Sequence, residues 1–196
     1  MRTKLTLALL ISAALSTSPS VLAQSKETKD GSAKTEQKKG GLAGKDRKYF
    51  QDIAQANMAE VETGKLAQSK ASSDDVKKFA GHMVEDHGKM LQEQQTLAKT
   101  KGVQLPKQPK KEHQSAMKKL EGMSGEAFDR AYMEQMVKDH DKTLKLVQET
   151  AKNAKDPELK QAAEKAAPDV EKHLAMAKQI AGDKGKSSKG SEKKPK

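Results

Sequence analysis

One short helical word recurs three times in this chain, each time ending in histidine: Val84-Glu85-Asp86-His87, Val137-Lys138-Asp139-His140 and Val170-Glu171-Lys172-His173. Each word lies inside a longer run whose apolar residues return every three or four positions, the signature of a helix with one buried face. Counted this way, Val76, Ala80, Met83, His87, Met90, Gln94 and Leu97 share one seam. Met133, Val137 or Met136, His140, Leu144, Val147 and Ala151 form a second, and Leu159, Ala163, Ala166, Val170, His173, Ala177 and Ile180 a third. An earlier run gives Ile53, Asn57, Glu60, Gly64, Ala67 and Ala71. Four helices, each with one ionisable residue on its apolar seam, predict an all-α bundle.

Helix signals set the boundaries. A first helix is expected from Asp46 to Ala71, and a second after Ser72, with Asp75 completing a capping box, to Gly102. A third should follow Ser124 as far as Ala154, and a fourth should open at Asp156-Pro157 and stop at Gly182. Between the second and third, a stretch with Pro106 and Pro109 and a short helix from Lys111 to Met123 is far longer than the roughly 2 to 8 residues usual in a bundle hairpin. It is long enough to travel the height of the bundle. The expected architecture is therefore a ferritin-like four-helix bundle with a short extra helix in the crossover between helices 2 and 3.

Glu60, His87 and His140 each fall about halfway along their helices, and His173 close to it, so all four belong to one layer at mid-height. Burying such groups without partners costs several kcal/mol, which means that they contact one another, water or an ion. Shifting the chain by 53 residues superimposes Phe79 on Tyr132, Met83 on Met136, Asp86 on Asp139, Lys89 on Lys142, Leu91 on Leu144 and Gln95 on Gln148. The second and third helices thus read as pseudo-equivalent about an approximate twofold.

A layer of three imidazoles and one carboxylate suits a single Zn, Cu, Ni or Fe ion, with Glu60, His87, His140 and His173 as ligands and Asp86 and Asp139 as outer hydrogen-bond acceptors. Met83 and Met136, one turn before their histidines, and Met176 would add a preference for Cu(I) if they reached the ion, and otherwise fill the core. The alternative is a metal-free polar layer that fixes helix register or responds to pH, since buried imidazoles must charge as the medium acidifies. A ferritin-type di-iron site is not expected, because Val84, Val137 and Val170 stand where Glu-x-x-His pairs would need glutamate. His82 and His113 are read as surface residues. Without a cysteine, a nucleophile elbow or a phosphate-binding glycine loop, the chain is not expected to be an enzyme.

The flanks fix the compartment. Arg2 and Lys4 precede an apolar run from Leu5 to Leu15, and Val21-Leu22-Ala23 offers a cleavage site, so residues 1–23 read as a secretory signal peptide. The run is short of the roughly 20 residues that a membrane span needs, and no later segment qualifies. The expectation is an exported protein, periplasmic or envelope-associated, with no transmembrane segment. Residues 24–45 and 183–196 each carry six lysines and few apolar residues, so they read as disordered Lys-rich segments around a domain at 46–182. They hold most of the net charge of +11 and suit an anionic envelope surface. Nucleic acid is not expected as a partner for an exported chain with 3% aromatic residues.

At Met83-Val84-Glu85-Asp86-His87, then Phe128-Asp129-Arg130-Ala131-Tyr132 with Val137-Lys138-Asp139-His140, then Pro168 with His173-Leu174, the chain resembles a family of exported bacterial ferritin-like proteins, domain of unknown function 4142. The resemblance spans Lys45 to Gly182. It implies a ferritin-like bundle with a short connecting helix, and it implies no activity.

Overall fold

The computed structural model describes residues 41–42 and 44–190, with side chains as far as 182. Helix α1 is Gly44–Lys70, α2 Asp74–Lys101, α3 Lys111–Glu121, α4 Gly125–Asn153 and α5 Pro157–Gly190. The expected signal peptide and most of the first Lys-rich segment lie outside the described residues.

Helices α1 and α2 form one antiparallel hairpin and α4 and α5 another. Three polar links set the direction of α4 against α1. Asp46, in the first turn of α1, accepts the backbone N–H groups of Lys155 (3.0 Å) and Asp156 (2.8 Å) beyond the end of α4. Tyr49 Oη donates to Glu149 Oε1 at 2.6 Å. At the other end of α1, Asp129 near the start of α4 accepts from Ser72 N–H, Ser72 Oγ and Ser73 N–H at 2.6–3.0 Å. Helix α4 therefore runs against α1 and in the same direction as α2, so the chain between them has to return the full height of the bundle. It does so along α1: Gln51 donates to Gln104 O, Gln55 to Gln108 O, Lys110 pairs with Asp52 at 3.0 Å, and Lys70 donates to Glu121 O. This is the expected ferritin-like crossover, with α3 inside it.

Local signals explain most helix ends. Gly102 ends α2 in the left-handed region (φ 63°), a conformation that suits glycine, and Val103 N–H then reaches back to Ala98 O at 2.9 Å. Asp156 Oδ1 caps α5 by accepting Leu159 N–H at 2.9 Å, ahead of Pro157 in the first turn. The capping box expected at Ser72 and Asp75 does not form: Ser73 is the N-cap, without a side-chain cap bond, because Ser72 gives its hydroxyl to the buried Asp129. Gly182 does not stop α5, whose helical backbone continues to Gly190. The fold also begins before Asp46, since Leu42 is 2% exposed and packs with Tyr49, Phe50, Ala98, Val103 and Leu159. Pro168 lies within α5, on its exposed side, and the helix continues through it.

Two apolar clusters occupy the two ends. One holds Leu42, Phe50 and Leu159; the other holds Phe79, Met83, Phe128, Tyr132, Met133, Met136 and Ala177. The histidine layer separates them. Because α1 packs on α2 and α4, and α5 on α4 and α2, the parallel helices α2 and α4 stand at opposite corners of the bundle.

Candidate metal centre

His87 on α2, His140 on α4 and His173 on α5 are each 1% exposed. Their ring centroids form a near-equilateral triangle with sides of 5.2, 5.4 and 5.6 Å. One ring nitrogen from each lies within 4.8 Å of the others, and this is the one group of three or more such side chains among the described residues. His87 Nε2 and His140 Nε2 approach to 3.3 Å across the bundle diagonal.

Hydrogen bonds assign the tautomers. The carbonyl of Met136 can only accept, so His140 Nδ1, 2.9 Å away, carries a proton. The Asp86 carboxylate, 3.1 Å from His173 Nε2, calls for a proton there. Asn57 donates through Nδ2 to Gln94 Oε1 at 2.9 Å, which turns its Oδ1 toward His87 Nδ1 as an acceptor at 2.9 Å. In the neutral state these bonds leave one lone pair on each ring: Nε2 of His87, Nε2 of His140 and Nδ1 of His173. The last of these is buried without a hydrogen-bond partner. Two facing Nε2 lone pairs at 3.3 Å repel unless a cation or proton lies between them.

Burial pushes all three imidazoles toward the neutral form. His87 is held well below the usual histidine range by desolvation and then by repulsion from His140 and His173. His140 is pushed down to about 4 by desolvation, reinforced by His173 and partly offset by the Met136 bond. His173 is lowered by desolvation, with Asp86 opposing. Neutral imidazoles, each with its other nitrogen anchored to an acceptor, are the form in which histidine binds metal. At a metal–nitrogen distance of about 2.0–2.1 Å, ligand nitrogens stand roughly 3.3–3.6 Å apart. The His87–His140 separation fits as it stands, and the separations to His173, which lie within 4.8 Å, have to close by up to about 1.5 Å.

Glu60, the fourth expected ligand, stands apart from the triad. Its Oε1 lies 3.8 Å from His140 Nδ1, the nitrogen already given to Met136, and its Oε2 has no partner. Desolvation, with Asp139 adding repulsion, raises its pKa well above the ordinary carboxyl value, which favours its neutral form. Asp86 serves as an outer acceptor, but for His173 across the α2–α5 seam rather than for its sequence neighbour His87. Asp139 turns away from His140 toward Gln135 Nε2 (2.5 Å) and His113 Nδ1 (3.6 Å). Burial alone would raise its pKa, but these bonds hold it below the usual carboxylate range. His113 is accordingly no surface residue: its side chain is 15% exposed, because α3 folds back onto α4. His82 is exposed as expected. Met83 and Met136 are buried in the apolar cluster below the triad. Asn57 and Gln94 join the site although nothing in the sequence marks them beyond polarity on largely apolar seams.

A family model described as a domain of unknown function, DUF4142, matches residues 31–180. No curated protein matches at a significant level. Among solved structures, a fragment with a DUF305 domain from Deinococcus radiodurans superposes with a TM-score of 0.65 at 10% identity, over 73% of this chain and 99% of that one. A protein described as a secreted DUF305 protein from Streptomyces coelicolor gives 0.63 at 13% identity, over 71% and 92%. CopM, in its Cu(II)-bound form, gives 0.61 at 17% identity, over 70% and 96%. At these identities the likenesses establish a shared helical-bundle fold. The family match covers most of the chain, which belongs to the family described as domain of unknown function DUF4142.

Proposed function

We propose that this chain is an exported, non-enzymatic metal-handling protein that holds one copper ion between His87, His140 and His173. The observation that carries this reading is the hydrogen-bond pattern: each imidazole gives its N–H to an acceptor and keeps its lone pair for a shared point. Three neutral nitrogen donors suit Cu, Zn, Ni or Fe, and the general order of affinities favours copper at such a site. The fold shared with CopM, whose solved form holds Cu(II), supports the same choice. Glu60 as a neutral acid contributes no charge to the ion, and Asp86, through His173, supplies the compensating anion.

The test is elemental analysis of the mature protein from Gln24, purified without a histidine tag or chelator and loaded in competition with Cu, Zn, Ni and Fe. One equivalent of copper, absent from the triple His87→Ala, His140→Ala, His173→Ala variant, supports the reading. No metal in either protein overturns it. A second reading, a metal-free layer that senses pH, draws on the depressed histidine pKa values; it predicts no uptake and loss of helicity on acidification. For location, the reading is of an envelope protein held by its Lys-rich segments at anionic surfaces. Because Leu42 belongs to the core, the test deletes residues 24–39 and 191–196 and leaves the bundle intact. Loss of salt-sensitive binding to anionic vesicles is the expected result; unchanged binding would refute the role of the segments. Among the described residues no helix is long and apolar enough to cross a membrane.

A further inference from the structure

One turn from the histidine layer, toward the start of α1, the bundle holds a partly open cavity of about 140 Å³. Each of the four long helices contributes to its wall a residue one turn from a layer residue: Asn57 on α1, Met90 on α2, Thr143 on α4 and Val170 on α5. The remaining wall is mostly apolar, with Ala163 and Val147 among the buried residues. A second cavity of about 130 Å³ opens at the surface of the α2–α5 seam, beside Asp86 and Asp169. The two share Met90, Glu93, Ala162 and Ala166 as lining residues, so they adjoin along the α2–α5 seam.

We propose that the inner cavity is a binding site for a small, mostly apolar molecule of about benzene's size, admitted through the α2–α5 seam. Protein cores are packed to the density of organic crystals, with few voids larger than a water molecule. An apolar engineered cavity of ~150 Å³ takes up benzene or xenon, and the volume and lining here match that chemistry. A guest of this class gains dispersion contacts with Ile53, Leu97, Val147 and Val170. Wholly polar guests are disfavoured because the wall is mostly apolar and its most deeply buried polar side chain, Asn57, is already committed to His87 and Gln94. Asn57 also makes the site report to the triad: a guest against its side chain shifts the acceptor that fixes the tautomer of His87.

The cavity is present without any metal, so its test is run on metal-free protein and stands or falls separately from the copper reading. The measurement is an NMR titration with benzene, following the side chains of Met90 and Val170 and the His87 ring nitrogens. Saturable one-site shifts at these residues, with the His113 ring unmoved, are expected. Ala163→Leu, which fills the cavity, should weaken benzene binding by about tenfold or more, and Ala175→Leu, on the exposed face of α5, should leave it unchanged. If Ala163→Leu fails to give the wild-type helical spectrum, Ala166→Leu in the shared mouth replaces it. Absence of saturable shifts in the wild type, or equal affinity in the cavity-filling and surface variants, would overturn the proposal.

Discussion

Replacing His140 with Gln should remove most of the acid sensitivity that this residue gives the metal-free fold, and the size of the effect follows from its surroundings. Its pKa lies at about 4 in the fold against 6.5 for an unperturbed histidine. A base with a depressed pKa contributes stability that is intact above 6.5 and lost as pH falls from there toward 4, because the unfolded chain takes up the proton first. Between pH 7 and pH 5 the loss for this one group is about 2 kcal/mol, close to 1.4 kcal/mol per pH unit through the steep part. His87 and His173, also lowered, add to the slope. Glu60 works in the opposite sense: its raised pKa makes the fold gain relative stability as pH falls toward 4.5, so the absolute wild-type curve is a compromise. The comparison with the variant isolates His140. Gln can still donate to the Met136 carbonyl, and the loss of charge repulsion lets His87 titrate closer to normal, which flattens the curve further. The assay is urea unfolding of chelator-treated protein, followed by circular dichroism at pH 7 and pH 5. Wild type should lose about 2 kcal/mol more than the variant over this interval. Curves that fall in parallel, within roughly 0.5 kcal/mol, would refute the claim that His140 is buried and neutral.

Three further substitutions act on the anchor of His173 and on the packing of the helices. Asp86→Asn keeps a polar partner for His173 Nε2 but removes the compensating charge, so copper affinity in a chelator competition should fall about 10- to 100-fold with the fold unchanged. Asp129→Ala strips three hydrogen bonds from the α1–α2 turn and should cost about 2–4 kcal/mol in denaturant unfolding. Gly64→Ala would place a Cβ 2.9 Å from Val84 Cγ2 and 3.1 Å from the Ala80 carbonyl; helices α1 and α2 must separate, and a loss of about 1–3 kcal/mol is expected by the same assay.

Periodicity carried the fold because each helix exposes one face to the core over many turns, and the long proline-containing connection could only be a crossover. Burial bears out every residue counted on the seam of α1, and the triad in the other three helices. What failed was local and depended on tertiary contacts. A serine beside a helix start has two uses, and Ser72 serves Asp129 from 57 positions away rather than its own helix. Gly182 is a candidate stop by sequence, yet glycine permits a helix end without imposing one: α2 stops where Gly102 takes the left-handed turn at φ 63°, and α5 continues past Gly182. His113 and Asp139 find one another only because α3 packs back on α4, which no spacing along the chain encodes.

The 53-residue repeat explains why Glu60 is set apart from the ligands it was grouped with. It relates α2 to α4, which are parallel and stand at opposite corners, so His87 and His140 meet across the diagonal, Nε2 to Nε2. Helices α1 and α5 take the other two corners, and they carry Glu60 and His173. The pseudo-symmetry is broken at that second pair. His173 has Asp86 behind it to hold its proton outward and free its inner nitrogen, whereas Glu60 faces the used nitrogen of His140 and its Oε2 has no hydrogen-bond partner. Burial then favours its protonated form. A bundle with two histidines and two such corners would offer a symmetric four-ligand cage. With Glu60 favoured in its neutral form, the proposed copper site is left with three nitrogens, and Asp86 is the carboxylate that would balance the ion. This asymmetry orders the variants: Glu60→Gln should leave copper stoichiometry and affinity within about twofold of wild type, while Asp86→Asn weakens binding far more. A Glu60→Gln protein that loses its metal would show that the carboxylate ionises and swings into the site, and would restore it as the fourth ligand.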